Sequence, residues 1–307
     1  MKAVVTGGAG FIGSHLVEEL ISKGAEVHVL DNMISGHLHN VHPHAVIHTE
    51  DIRSKEAKQI ILREKPDVVF HLAAQADVGR SIREPKYDAD VNINGTINIL
   101  EACHEASVKK VIFASTSGVY GNLQKDLISE EDLTIPISYY GLSKLTAESY
   151  IRLFYQLYGL SYTILRYGNV YGPRQSAKGE GGVVAIFLDR IKKGMPLTIH
   201  GDGEQTRDFI YVKDVVQANI AAIEKGHQET IQVSTAQRTS VNDLIKMLTQ
   251  IHGSKIDTVH TRARTGDIKH SCLDNKKARQ LLQWHPQVDI FYGLTETYNF
   301  SFKNTFL

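Results

Sequence analysis

The sequence predicts an α/β protein: a doubly wound parallel sheet carrying a smaller mixed α/β lobe. Three observations predict it. Short runs that are apolar throughout alternate with stretches of helical spacing from Lys2 to Arg166, the pattern of strands buried on both faces by crossover helices. A glycine-rich turn, Thr6-Gly7-Gly8-Ala9-Gly10-Phe11-Ile12-Gly13, joins the first run to the first helical stretch. After Tyr167 the rhythm breaks into shorter, more mixed segments.

The elements follow in order. Lys2–Thr6 is the first buried strand and Phe11–Ser22 the first helix. Glu26–Leu30, Val46–His48, Asp67–Leu72 and Lys110–Ala114 are further strands, with helices at Ser54–Arg63 and about Lys86–Ala106 between them. A helix carrying Tyr140 runs to about Tyr158, and a strand follows at Tyr162–Arg166. Gly172-Pro173 and the glycine-rich 177–182 stretch read as loop. Asp208–Val212 and Thr230–Ser234 read as strands that return to the main sheet. The expected division is therefore interleaved: residues 1–168 and 208–236 form a dinucleotide-binding Rossmann domain, and residues 169–207 and 237–307 the lobe over the carboxyl ends of its strands.

Composition bounds the function classes. The 307 residues suffice for a substantial core, and Lys+Arg and Asp+Glu both total 34. That balance points to no nucleic-acid or membrane partner. With only Cys103 and Cys272, no apolar run of membrane-spanning length and no signal-peptide pattern, the reading is a soluble cytoplasmic protein. The histidine-rich loop 36–44 lacks the i, i+4 ligand spacing of a helical metal site, and no metal is expected.

The glycine fingerprint points to a dinucleotide. Gly7, Gly10 and Gly13 let backbone approach a pyrophosphate, with Phe11 and Ile12 opening the helix whose amides meet the charge. Asp31, eighteen residues past Gly13, is placed to accept from an adenosine ribose and to repel a 2′-phosphate; beside it stands Asn32, with no Arg or Lys nearby. NAD is favoured over NADP. Asp51 and Ile52 follow the third strand, where adenine would rest, and Leu72, Ala73, Ala74 and Gln75 follow the fourth. Asn92 is read either as a cofactor contact or as a satisfied polar residue inside a helix.

Tyr140 and Lys144 lie one helical turn apart on one face. A tyrosine titrates near ~10, so it becomes a useful base only where neighbouring cations favour its phenolate. With Thr116 nearby, this is a constellation for moving the proton of a sugar hydroxyl while a nicotinamide exchanges hydride.

Taken together, the fingerprint, His71-Leu72-Ala73-Ala74, Ser115–Gly121, Tyr140–Lys144, Leu165–Arg174, Gly201–Val215 and Arg264–Asp267 resemble the extended short-chain dehydrogenase/reductase family of nucleotide-sugar enzymes, and within it the UDP-glucose 4-epimerase group. The resemblance implies NAD-dependent C4 epimerisation of a UDP-hexose, with or without a 2-acetamido group, through a 4-keto intermediate. It implies Tyr140 as acid/base, Thr116 as the hydrogen-bonding bridge to the C4 hydroxyl, and Lys144 as the ribose anchor, with Tyr167 among the cofactor residues. Asn169, Arg207, Arg264 and Asp267 would hold the phosphates and ribose, and Thr198 and His200 the uracil. Ser271 would stand at the pocket wall where some hexose-restricted epimerases carry an aromatic residue. The helices at Lys86–Ala106 and Ser138–Tyr158 resemble the family's dimerisation helices, implying a homodimer.

Other readings weigh against residues in hand. The family's 4,6-dehydratases carry Asp-Glu after the threonine and its decarboxylases a glutamate there; this chain has Ser117-Gly118. A uronate would call for a cation near C6, which Gln175-Ser176 does not offer, and pentose epimerisation stays open. A non-enzymatic NAD-sensing regulator on this fold usually lacks the Tyr/Lys pair retained here.

Overall fold

The computed structural model describes residues 1–178, 182–262 and 268–303. Its centre is a seven-stranded sheet made of β1 (Lys2–Thr6), β2 (Glu26–Leu30), β3 (Val46–His48), β4 (Val68–His71), β5 (Lys110–Thr116), β6 (Tyr162–Tyr167) and a late-arriving strand, Glu229–Val233. All neighbours pair in parallel, in the order Glu229–Val233, β6, β5, β4, β1, β2, β3. The chain order reverses between β1 and β4, and such a switch point opens a crevice at the carboxyl ends of the strands.

Both faces of the sheet are covered because its strands are apolar on both sides. One face packs α1 (Phe11–Ser22), through Leu16, Val17 and Leu20, and the helix Val212–Glu224, through Val215, Val216 and Ala222. The other takes α2 (Lys55–Glu64), whose start is capped by the Ser54 hydroxyl. It also takes a helical stretch before β5 and the helix bearing Tyr140.

The stretch expected as one helix from Lys86 to Ala106 is divided. After α3 (Val78–Arg83) come α4 (Pro85–Ala89), a π turn at Asp90–Asn94, and α5 (Gly95–Glu105). The π turn carries the inward-facing, buried Asn92. Helix α6 (Tyr139–Tyr158) then begins at Ser138, whose hydroxyl accepts from the Gly141 amide.

Beyond β6 the chain forms β7 (Asn169–Tyr171), α7 (Val183–Lys192), β8 (Leu197–His200), β9 (Thr206–Arg207), β10 (Phe209–Tyr211), α8 (Val212–Glu224), β11 (Glu229–Val233), β12 (Thr239–Ser240), α9 (Val241–His252), β13 (Thr258–Thr261) and α10 (Ile290–Lys303). The expectation for 230–234 agrees with β11, which joins the main sheet. That for 208–212 does not: β10 pairs with β7 in a separate two-stranded sheet. The physical reason is that β11 already occupies the free edge of β6 through Val233, while β7 leaves that sheet after Gly168 and offers β10 its own edge. A third core, with Phe187, Leu188, Leu197, Ile199, Phe209, Tyr211, Leu244 and Leu294, gives the smaller lobe its interior.

Candidate active site

The turn after β1 is built for close backbone approach. A Cβ on Gly13 would overlap the Gly7 carbonyl oxygen, so only glycine lets α1 start this near the strand end. The first turn of α1 holds no acidic residue, and helix geometry leaves its leading amides without intrahelical acceptors. Phe11 and Ile12 are half-buried there and pack towards the lobe's core.

Asp31 lies at the end of β2, 7% exposed, accepting from the Ala9 amide (3.0 Å) and the Met33 amide (2.8 Å). Burial pushes its carboxyl above the ordinary range, against the pull of those two amides. Next to it, Asn32 donates to Asp51, and Arg53 binds both Asp51 oxygens and reaches Asp90 at 2.6 Å. Hydrogen bonding to Arg53 holds the Asp51 carboxyl far below its usual range. The guanidinium on this rim is thus committed to two carboxylates.

Several expected cofactor residues turn their side chains elsewhere. Ile52 is buried against the Gly95 helix turn. The Asn92 amide accepts from the Gln75 N–H and donates to the Gln75 carbonyl, both at 2.9 Å, and also donates to Asp88 and Ser143. The Gln75 side chain bonds Asp77 and Asp88. Asn92 and Gln75 therefore shape the loop after β4, the satisfied-polar reading for Asn92. Tyr167 is buried in the core, its hydroxyl paired with Asn219. Leu72, Ala73 and Ala74 are half-buried along the loop.

Thr116 ends β5, half-buried, and its Oγ1 accepts from the Gly118 amide (3.0 Å), which opens the 117–120 turn. Ser115 faces the interior, donating to Glu148 at 2.6 Å, so the two neighbours in the Ser-Thr-Ser run are not equivalent. Helix α6 meets this turn at Gly141, where a Cβ would stand 2.6 Å from the Gly118 carbonyl oxygen. That contact brings the Tyr140 turn of the helix to the strand end holding Thr116. One turn on, Lys144 is 3% exposed; its Nζ donates to the Ala114 carbonyl (2.8 Å) and lies 4.5 Å from the Phe113 ring centroid.

His71 is a participant that sequence reasoning noted only as motif. The Thr96 hydroxyl donates to Asn92 O and receives from His71 Nε2 (3.0 Å), while Thr6 receives the Ala73 amide and donates to Nδ1 (2.8 Å). This network assigns a neutral Nε2–H tautomer. Burial, with the Lys144 charge adding to it, lowers the imidazole pKa to about 3.

On the lobe side, Thr198 and His200 are half-buried on β8, alternating with buried Leu197 and Ile199. His200 Nδ1 bonds the Thr261 hydroxyl. Asn169 lies on β7, paired with β10, and Arg207 on β9, paired with β12, both half-buried; Ser271 is buried with its amide donating to Thr206, next to Arg207. Arg264 and Asp267 lie outside the described residues. Among the described residues, one group of ligand-type side chains gathers, His28, His48 and Glu64. None of the three belongs to the histidine-rich loop 36–44, and a hydrogen bond between the two imidazoles and ion pairs of Glu64 to Lys2 and Arg63 already engage the group.

The model of the NAD dependent epimerase/dehydratase family matches residues 3–234. A UDP-glucose 4-epimerase from Mycolicibacterium smegmatis is 38% identical, the match covering 99% of each chain. The crystal structure of the Thermotoga maritima UDP-glucose 4-epimerase with UDP-glucose is 45% identical, covers 99% of each chain and superposes with a TM-score of 0.97. A UDP-N-acetylglucosamine 4-epimerase from Methanobrevibacter ruminantium, in complex with UDP-N-acetylmuramic acid, is 37% identical over 99% of each chain, TM-score 0.94. The chain belongs to the NAD dependent epimerase/dehydratase family.

The His71 environment gives a pH dependence of stability. Its pKa of about 3 in the folded protein lies below the ordinary 6.5, so between those values the unfolded chain binds the extra proton. The contribution is complete above pH ~6.5 and is lost on acidification, at about 1.4 kcal/mol per pH unit. Urea unfolding of wild type and His71→Gln between pH 7 and pH 5 checks it: the wild type should lose about 2 kcal/mol more than the variant across that range. Parallel slopes would show that His71 is not held neutral.

Proposed function

We propose that the chain epimerises C4 of a UDP-hexose with NAD as its resident cofactor, passing through a transient 4-keto sugar. The observation that carries this reading is the meeting of Tyr140 and Lys144, on one face of α6, with Thr116 at the end of β5, beside a glycine cradle and a buried Asp31. Bound NAD supplies the acceptor, then the donor, for the C4 hydrogen. Tyr140 takes the C4 hydroxyl proton and later returns it. Thr116 Oγ1 already accepts an amide, which leaves its proton for the oxygen shared by sugar and tyrosine. Lys144 donates to Ala114 O, and its ammonium charge beside Tyr140 on the same helix face suits the nicotinamide ribose and favours the phenolate. Asp31 suits the adenosine ribose through its remaining lone pairs. With Arg53 committed to two carboxylates, the rim favours NAD over its 2′-phosphorylated form.

Asn169 and Arg207 are assigned to the diphosphate, Thr198 and His200 to the uracil, and Arg264 and Asp267 to phosphate and ribose. The sheet with residues 1–168 and 208–236 serves as the NAD domain and residues 169–207 and 237–307 as the sugar-nucleotide lobe; Phe209 and Tyr211 nevertheless pack in the lobe's core, and Ala278, Leu282 and Trp284 in the sheet's first core. No described helix is long and apolar enough to cross a membrane. We place the enzyme in the cytoplasm on its composition and its two free, buried cysteines.

The partner is assigned as a second copy of this chain. Tyr139, Leu142, Tyr150, Leu153 and Leu157 leave an exposed apolar stripe along α6, continued by Leu133, Ile135 and Ile137 on the approach to it.

Three outcomes test these assignments. Tyr140→Phe should retain NAD and lower kcat at least ~10²-fold, with Thr116→Val costing less, since it removes positioning and not the proton acceptor; near wild-type turnover would refute the mechanism. Ser271 leaves space at the sugar 2-position, in keeping with the relative named for UDP-N-acetylglucosamine. The acetylated sugar should therefore be accepted alongside UDP-glucose, and Ser271→Tyr should cut kcat/KM for it selectively. Equal loss on both sugars would remove Ser271 from the pocket wall. Leu153→Glu should shift the sedimentation coefficient from dimer to monomer; an unchanged value would put the interface elsewhere.

A further inference from the structure

Tyr140, Lys144 and Glu148 stand at successive i, i+4 positions of α6, on one face of the helix. Glu148 is fully buried, and so is nearly all of its partner Arg166 on β6. Its carboxylate accepts from Arg166 Nε (2.9 Å) and Nη2 (2.7 Å), from Arg152 Nη2 (2.8 Å), and from Ser115 Oγ (2.6 Å). Arg166 Nη1 donates onward to the Tyr120 hydroxyl at 2.8 Å, which also receives the Gln232 amide.

These partners lie beside the three residues Thr116, Tyr140 and Lys144. Ser115 precedes Thr116. Tyr120 closes the turn whose Gly118 amide holds the Thr116 hydroxyl and whose Gly118 carbonyl abuts Gly141 on α6. Glu148 sits one turn beyond Lys144. Apolar packing between helix and sheet tolerates small slides and rotations, whereas a forked, fully bonded ion pair has one geometry. A buried ion pair is also weak as a source of stability, since apolar groups of like volume serve as well or better.

We propose that Glu148, clasped by Arg166, is a positioning residue that sets α6 against the end of β5 and so fixes Tyr140 and Lys144 relative to Thr116. The pair touches neither sugar nor cofactor; it acts through the residues that do. Displacements of the order of an ångström at a reacting centre cost rate rather than binding.

The inference rests on the epimerase reading, and the experiment separates the two. Wild type, Tyr140→Phe, Thr116→Val, Glu148→Gln, the apolar pair Glu148→Leu/Arg166→Met and that pair combined with Thr116→Val are assayed for UDP-glucose turnover, with bound NAD and thermal unfolding measured on the same samples. A wild type without turnover would defeat the epimerase reading itself. With an active wild type, Glu148→Gln should lower kcat about 10- to 100-fold while KM stays within about twofold and NAD remains bound. The apolar pair should melt cooperatively at or above the wild-type temperature without recovering kcat. Its loss should be less than additive with Thr116→Val, because a mis-set threonine has little left to lose. Wild-type kcat in either Glu148 variant, or loss fully additive with Thr116→Val, would overturn the proposal. So would a kcat restored along with stability in the apolar pair.

Discussion

Seven parallel strands deliver every following loop to the same edge, and a sheet covered on both faces leaves the polar groups at that edge little water to bond. The loops after β1, β4 and β5 must therefore satisfy one another. Thr6 takes the Ala73 amide and gives its proton to His71; His71 gives its own to Thr96; Thr96 closes on the Asn92 carbonyl. Asn92 in turn clamps both backbone groups of Gln75 and reaches Ser143, which donates to the Tyr140 carbonyl. A chain of obligatory hydrogen bonds thus runs from the glycine turn to the helix that bears the acid/base. Because each unmade bond in such a place costs on the order of 1–3 kcal/mol, the edge has few alternative arrangements.

The same demand explains what could be read in the sequence. The glycine turn, Asp31 and the Tyr140–Lys144 spacing are local: the strand end, the helix start and the i, i+4 face follow from neighbours in the chain, and the strands of the main sheet lie where apolar runs placed them. Side-chain direction is not local. Ile52, Gln75, Asn92 and Tyr167 stand at the edge in sequence, yet their side chains are buried and, for the three polar ones, hydrogen-bonded within the core or the loops. The break of the Lys86–Ala106 stretch into a π turn follows from bringing Asn92 inward to partners far off in sequence. Likewise the pairing of β10 with β7 depends on which strand has claimed the edge of β6, and β11, still to come in the chain, claims it.

Reaction class depends on what is missing beside Thr116 as much as on what is present. A dehydratase must carry an acid and a base to C5 and C6, and carboxylates after the threonine would supply them. Here the turn is Ser117-Gly118, with Gly118 pressed against Gly141. A Cβ at 118 would meet only the Thr116 side chain, 3.4 Å from Oγ1 and at ordinary contact distance, so the contact with the helix is made by the Gly118 backbone. Ser117 and Gly118 bring no carboxylate to this turn, so the acid and base that loss of water across C5 and C6 needs are not supplied beside Thr116.

The two halves of the molecule and the glycine turn meet at the start of α1. Ile12 packs both with the sheet's first core and with the lobe's, and Phe11 with the lobe's. One turn further along the helix, His15 bonds the Pro173 carbonyl and Glu18 pairs with Arg174, tying α1 to the loop that leaves β7. The helix end fitted to a pyrophosphate is therefore also the seam between the two halves. A dinucleotide held there adds to the contacts joining them, and those contacts in turn hinder its departure. This coupling suits an enzyme whose cofactor is used twice in each turnover and never consumed.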